Sequence, residues 1–244
     1  MIHSVKFLRW DSNFFGFKIG RISGSVKRAS ELKSAIAHSK SRGYRCLYFE
    51  CSKDAISAIQ FCKKQGYRCI DQKTLLVKRI GFTDSLLRVL KLEDFDSIRK
   101  FRSKDLMDAI RIAQNAIAPQ SRFCSDPKFG RMGKELYRQW VLASRNRKFC
   151  NAFFVFVQYN KVAGLITARK KLSGMYIDLL GVDQKYQGLG IGTKLIGFCE
   201  TWALARKVRT LHVVTQGLNR RAMALYLKCG FKVKEKTFFY HLWN

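Results

Sequence analysis

The chain has 244 residues, 47% of them hydrophobic and 26% charged, with 47 Lys plus Arg against 17 Asp plus Glu for a formal net charge of +30. Nineteen Phe and nine Tyr exclude a disordered chain, and the longest apolar run, Ala152–Val157, is far too short to insert in a membrane. Residues 1–6 show no basic leader followed by an apolar stretch, so a folded cytoplasmic protein is expected.

The eight cysteines (46, 51, 62, 69, 124, 150, 199 and 229) form no CxxC pair, and none has a His at zinc-like spacing. Buried, reduced thiols and no metal are the expectation. The positive charge is spread evenly: 17 basic and 5 acidic residues in 1–80, and 30 and 12 in 81–244. No block of five like charges and no basic tail occurs. A lysine-rich surface, steering of small phosphorylated ligands, and nucleic-acid binding all fit that charge, which does not choose among them.

In chain order, Val5–Trp10 and Phe17–Ile22 read as short strands separated by the turn-forming Asp11-Ser12-Asn13. Residues 28–41 have helical apolar spacing, 45–51 alternate as a strand, and 55–64 are helical up to Gly66. Residues 67–79 close a small unit as a strand or hairpin. The expected boundary is Gly81–Asp84, giving an α/β domain at 1–82 and a second domain at 83–244. There, 86–92 read as a strand and 93–117 as helix, in one piece or two, before an irregular stretch at 118–127 that holds both prolines. A helix follows at 132–146. Strands at 152–158 and 162–169 turn at Tyr159-Asn160-Lys161, and a third strand spans 176–182. Helix 188–205, strand 210–215, helix 219–228 and strand 231–242 complete an α/β (α+β) pattern.

The strongest local signal is Gln187-Gly188-Leu189-Gly190-Ile191-Gly192-Thr193, between an apolar strand and an amphipathic helix. Alternating glycines let a backbone turn tightly and approach a ligand. The N–H groups of a first helical turn, with the positive end of the dipole, suit a phosphate. The run is neither a dinucleotide-binding nor a Walker A fingerprint, because the glycine spacing differs and no Gly-Lys-Ser/Thr follows.

Gln187-x-x-Gly190-x-Gly192, followed by Asn219-x-x-Ala222-x-x-x-Tyr226-x-x-x-Gly230-Phe231, resembles the Gcn5-related N-acetyltransferase (GNAT) superfamily over roughly residues 85–244. The resemblance implies a GNAT fold, a mixed central sheet with flanking helices. It implies acyl-CoA as co-substrate, its pyrophosphate held at Gln187, Gly188, Leu189, Gly190, Gly192 and Thr193. The main chain of Leu180 and Val182 would pair with pantetheine, Gly181 fitting a bulge or a close backbone approach. Tyr226 would be the general acid, with Asn219 beside it in the catalytic and cofactor-binding set. Leu8–Arg21, Ser121-Arg122-Phe123 and Asp126-Pro127-x-Phe129 are further similar to the TDP-fucosamine acetyltransferase branch. That branch acylates the amine of a nucleotide-linked deoxysugar for surface polysaccharides. Phe14, Phe15, Ser121, Arg122 and Asp178 are the acceptor-binding candidates, placed in a cleft between the two domains. Asp178 and His212 are weak candidates for a base, and neither is assigned the role. Competing readings are a peptide or polyamine acetyltransferase and, outside enzymes, a basic nucleic-acid-binding protein. Small molecules are the expected partners, without nucleic acid or membrane, and a homodimer is left open.

Overall fold

A computed structural model describes residues 5–24, 26–81, 95–146 and 149–244. The expected strand 86–92, and residues 82–84 of the expected boundary, lie outside the described residues. The described chain divides into two compact units. One comprises 1–74, 216–218 and 235–244; the other comprises 75–215 and 219–234.

In the first unit, strand β1 (Val5–Phe7) pairs antiparallel with β2 (Ile19–Ile22). Between them, helix α1 (Arg9–Phe15) replaces the expected turn at 11–13. Its side chains explain the correction. Ser12 Oγ accepts from Ile19 N at 2.9 Å, tying the helix to the next strand. The helix ends at Phe15, and the following Gly16 takes φ +75° with its N–H donating to Ser12 O. Turn-forming residues are thus absorbed into a short helix whose polar atoms are satisfied by its neighbour. Helix α2 (Ala29–Ser41), strand β3 (Cys46–Cys51) and helix α3 (Ile56–Lys64) follow as expected. β3 runs parallel to β2 and antiparallel to the end of the last strand, with Cys46 opposite Trp243 and Cys51 opposite Phe238. Leu32, Leu47, Phe49, Ala58, Cys62 and Leu242 are its buried centre. Strand β4 (Cys69–Arg79) starts in this unit and ends in the other.

The second unit departs from the expected helix at 93–117 over its first part. Ile98–Lys100 form strand β5, because they pair antiparallel with Phe154–Phe156. Helix α4 (Leu106–Ile112) starts only after that, and passes into a π-helical turn over Ala113–Ile117. Short turns lead through the proline-bearing stretch to helix α5 (Met132–Ser144). Strands β6 (Ala152–Gln158), β7 (Lys161–Lys171) and β8 (Gly174–Val182) form an antiparallel run, with β9 (Thr210–Gln216) parallel to β8. The β6–β7 turn falls at Tyr159 and Asn160, both at positive φ, as the primed hairpin turns require. Helix α6 (Ile191–Leu204) packs on one face of these strands, against Phe154, Phe156 and Ile166. Helices α4 and α5 cover the other, against Val155, Leu165 and Leu179. Both faces are buried, which is why β6 reads as continuous Ala-Phe-Phe-Val-Phe-Val rather than alternating. Helix α7 (Arg220–Lys228) precedes β10 (Lys232–Trp243), which begins in this unit and ends in the first. None of the eight cysteines forms a disulfide. Six are buried as expected, whereas Cys69 is exposed and Cys124 half-buried. Burial pushes the Cys199 thiol up to about 12. No cluster of three metal-ligating side chains occurs among the described residues.

Candidate functional site

The glycine run lies between β8 and α6, wholly inside the second unit. Pairing of β8 with β7 continues to Val182, which stands opposite Gly164. Pairing of β8 with β9 covers only Met175–Ile177, against Leu211–Val213. Among the described residues, the β9-facing edge of Asp178–Val182 therefore has no partner strand. Backbone groups of a half-paired strand seek another partner, and Leu180 and Val182 lie on this open stretch.

β8 carries a register shift there, since Thr167 pairs with Leu179 and Ala168 with Ile177, leaving Asp178 as the extra residue. Thr167 Oγ1 accepts from Leu179 N at 3.1 Å and satisfies a backbone group within the irregular stretch. The bulge is thus three residues before Gly181. Gly181 serves the other expected purpose, close approach: a Cβ there would sit 2.7 Å from Ile117 Cγ1 and 3.0 Å from Ile112 Cγ2. The π-helical turn packs against that bare backbone.

Beyond β8, Asp183 closes a short turn by accepting from Lys185 N at 2.9 Å. Asp183 also pairs with Arg111 of α4, which bonds Asp108 at 3.0 Å. The Asp183 side chain is only 8% exposed. Burial alone would raise its pKa, but the Arg111 hydrogen bond and charge and the Lys185 N–H together outweigh it and hold the carboxyl below its ordinary value. Gln187 donates from Nε2 to Val182 O at 3.1 Å and accepts from Arg221 Nη1 at 2.9 Å. Its amide thus joins the end of β8 to α7, and braces the loop from both sides.

Gly188 and Gly190 have φ of +84° and +75°, and nothing lies within 4 Å of a Cβ built on either. Gly190 caps α6 and accepts from Lys194 N at 3.0 Å. The N–H groups of Gly190, Ile191, Gly192 and Thr193 therefore precede the first helical bond and have no carbonyl four residues back within the helix. Gly192 differs: its Cβ would meet Leu225 Cδ2 at 2.9 Å, so its bareness lets α6 and α7 approach. Leu189 is exposed. Donors at a positive helix end beside open space form a fitting cradle for a phosphate.

Asn219 caps α7, accepting from Ala222 N at 3.0 Å. Tyr226 follows two turns later, 5% exposed and edge-on to Phe231 with ring centroids 5.5 Å apart. Burial raises its phenol above the ordinary value, so the proton stays on through neutral pH. Asp178 is exposed and held bidentately by Arg169, both contacts 2.7 Å. His212 is buried: Nε2 lies 2.9 Å from Ser173 O, and the ring stacks on Tyr176 at 4.4 Å.

The acceptor candidates fall in both units. Phe14 and Phe15 are on α1 of the first unit, where Phe15 is buried and Phe14 stacks on Trp10 at 5.2 Å. Ser121 and Arg122 are in the second. Ser121 is buried and caps the helical turn Arg122–Ser125 by accepting from Cys124 N, and the Arg122 guanidinium lies 4.4 Å from the Phe123 ring centroid. The sequence reading missed Arg111, Asp183 and Arg221. Only Asp183 had a legible signal, an acid at the start of a turn directly after a strand.

Residues 116–231 match the acetyltransferase (GNAT) family. The chain is 26% identical over 126 residues to the spore coat polysaccharide biosynthesis protein SpsD of Bacillus subtilis (strain 168). That match covers 51% of this chain and 43% of SpsD, so the chain spans less than half of that relative's length. A functionally unknown conserved protein from Staphylococcus epidermidis ATCC 12228 superposes with a TM-score of 0.69 at 16% identity, over 93% of this chain and 84% of its own. A GCN5-related N-acetyltransferase from Sphaerobacter thermophilus superposes with a TM-score of 0.65 at 12% identity, over 98% and 76%. At these identities the two superpositions speak for the fold.

Proposed function

On the match of residues 116–231 to the acetyltransferase (GNAT) family, we propose that the chain moves an acyl group from acyl-CoA to the amine of a small acceptor. The favoured acceptor is a TDP-linked amino-dideoxyhexose, acylated with acetyl or a longer hydroxyacyl group for surface polysaccharide synthesis. The carrying observation is the glycine loop, where helix-terminal N–H groups and two positive-φ glycines with open space before them lie beside a strand edge that has no partner among the described residues. That combination suits a pyrophosphate followed by an amide-bearing arm.

In this reading the acceptor amine adds to the thioester carbonyl while both substrates are bound, and proximity supplies much of the rate. A main-chain N–H on the open stretch of β8 stabilises the oxyanion. The carbon–sulfur bond then breaks, Tyr226 gives its proton to the thiolate, and the amine's proton leaves through water. A buried phenol that keeps its proton at neutral pH is suited to that donor role. Asp178 is tied up by Arg169, which argues against it as the base.

The sugar acceptor rests on the N-terminal and 121–129 resemblances and on the polysaccharide-biosynthesis relative. The test is mass spectrometry after incubation with a panel of acyl-CoAs and TDP-amino sugars. A mass gain on a TDP-amino sugar, dependent on acyl-CoA, is expected. Acylation of polyamines or peptides alone would overturn the sugar while keeping the transferase. No acylation of any amine would overturn both.

A further inference from the structure

We propose that the second unit holds an additional binding site for a small anion carried on a flat apolar ring. The site is a cavity of about 430 Å³ at the end of β8 opposite the glycine loop, within the size range of small-molecule sites. Met175, at the start of β8, lines it, whereas Val182 at the far end leads to the loop. Seven residue steps along the strand separate the two, roughly 23 Å at the usual rise. The inference is therefore independent of the proposed acyl transfer.

Two features give the cavity its chemistry. The first is charge: Lys100, Arg145, Lys170 and Arg206 reach it from four different elements or their ends, and no carboxylate lines it. None of the four is in an ion pair among the described residues. By contrast, Arg99, Arg111 and Arg169 of the same unit each hold an aspartate. Gathering four cations around one concavity without a counter-charge costs repulsion that an anion relieves. The second is the wall. Phe101 and Phe153 stack at 4.1 Å with ring planes 12° apart. Trp202 also lines the cavity, with the Arg206 guanidinium 3.9 Å from its ring centroid. Arg206 also donates to Trp202 O at 3.2 Å, which fixes the cation against the indole. Aromatic faces offer a ring its stacking partner, and the fixed guanidinium offers an anion a forked donor. A ring bearing a phosphate or a carboxylate meets both features at once.

The test is titration calorimetry of the full chain at near-physiological salt with 1-naphthyl phosphate, 1-naphthoate, uncharged 1-naphthylmethanol and inorganic phosphate. One-site binding of at least one naphthyl anion is expected, and the tighter of the two identifies the anion. Uncharged naphthylmethanol and ring-free phosphate should each bind at least tenfold more weakly. Lys170→Gln with Arg206→Gln should weaken the naphthyl anion at least tenfold, as should Lys100→Gln with Arg145→Gln. All four positions are exposed, so either double variant keeps the fold, checked by an unchanged melting temperature. Saturating coenzyme A should leave the naphthyl affinity unchanged. Inorganic phosphate binding as tightly would reduce the site to the general charge of the chain and overturn the proposal. So would equal binding of naphthylmethanol, affinity unchanged in both double variants, displacement by coenzyme A, or no binding of either naphthyl anion.

Discussion

The strand end and the loop that follows it are both rich in glycine, for opposite reasons. At Gly181 the backbone has ordinary dihedrals and is crowded: Ile112 and Ile117 occupy the space where a side chain would be. At Gly188 and Gly190 the backbone is left-handed and the space in front is open. The first kind of glycine lets protein pack on protein. The second kind shapes a surface that the protein itself leaves unfilled. A glycine count cannot separate the two, but the contacts of a hypothetical Cβ can. The open pair, not the whole run, is what marks the proposed binding site.

The largest test concerns what the open loop serves. If acyl-CoA lies there with its sulfur near Tyr226, Tyr226→Phe removes the donated proton but keeps the ring that packs on Phe231. kcat should fall by roughly 10²–10⁴, the usual worth of a lost general acid, while the melting temperature stays within a few degrees. Near-normal turnover would give the proton to water. Next comes the loop itself. Gly190→Glu puts a carboxylate where the pyrophosphate is proposed, at a cost in strain of about 1–2 kcal/mol for the left-handed backbone. Coenzyme A affinity by calorimetry should drop on the order of 100-fold in a protein that still folds. Unchanged affinity would move the nucleotide elsewhere.

The order of elements was legible along most of the chain because its helices and strands have strong periodicity and clear stops. Gly66 at φ +74° ends α3, and the hairpin at Tyr159-Asn160 sits where its residue types demand. Two errors share a cause. The 11–13 triplet reads as a turn locally, and 98–100 reads as helix locally. Each was overridden by pairing, α1 by its bonds to Ile19 and β5 by its register on β6. In the site, the glycine loop and Tyr226 were visible as residue types at a spacing. The Arg111–Asp183 and Gln187–Arg221 braces were not, because their partners lie 72 and 34 residues apart in the chain. The gap between β8 and β9 was equally hidden, since a strand's apolar pattern does not reveal where its neighbour diverges.

A smaller effect separates the two glycine classes directly. Gly181→Ala forces Ile117 or the strand to move, and should destabilise by about 1–3 kcal/mol in urea unfolding, the range for overpacked sites. Gly188→Ala meets no atom and should cost only its backbone strain, about 1–2 kcal/mol. The separating readout is compensation. Adding Ile117→Val to Gly181→Ala should recover part of the loss, whereas Ile117→Val should add its full cost to Gly188→Ala. Additive losses in both pairs would remove packing as the reason for Gly181.

The last contrast is between the two aspartates that flank Gly181 on β8 and after it. Asp178 is exposed and its bidentate pair with Arg169 lies in water-accessible surroundings. Exposed pairs are worth little, so Asp178→Asn should change stability by less than about 1 kcal/mol. Asp183 is buried, and Arg111 holds its carboxyl below the ordinary value despite the opposing effect of burial. A carboxyl depressed in the folded state releases its proton more easily there than in the unfolded chain. Its stabilising contribution is therefore complete above the ordinary carboxylate value of 3.8 and is lost as pH falls through the lower folded value. Asn keeps an acceptor for Lys185 N but cannot carry the charge that pairs with Arg111. Asp183→Asn should thus cost about 1–2 kcal/mol at neutral pH, and the gap to the parent protein should narrow as the pH drops below about 4. Urea midpoints measured from pH 7 to pH 3 for the parent and both variants check it. A gap that stays constant with pH would mean the turn depends on the shape of Asp183 and not on its charge.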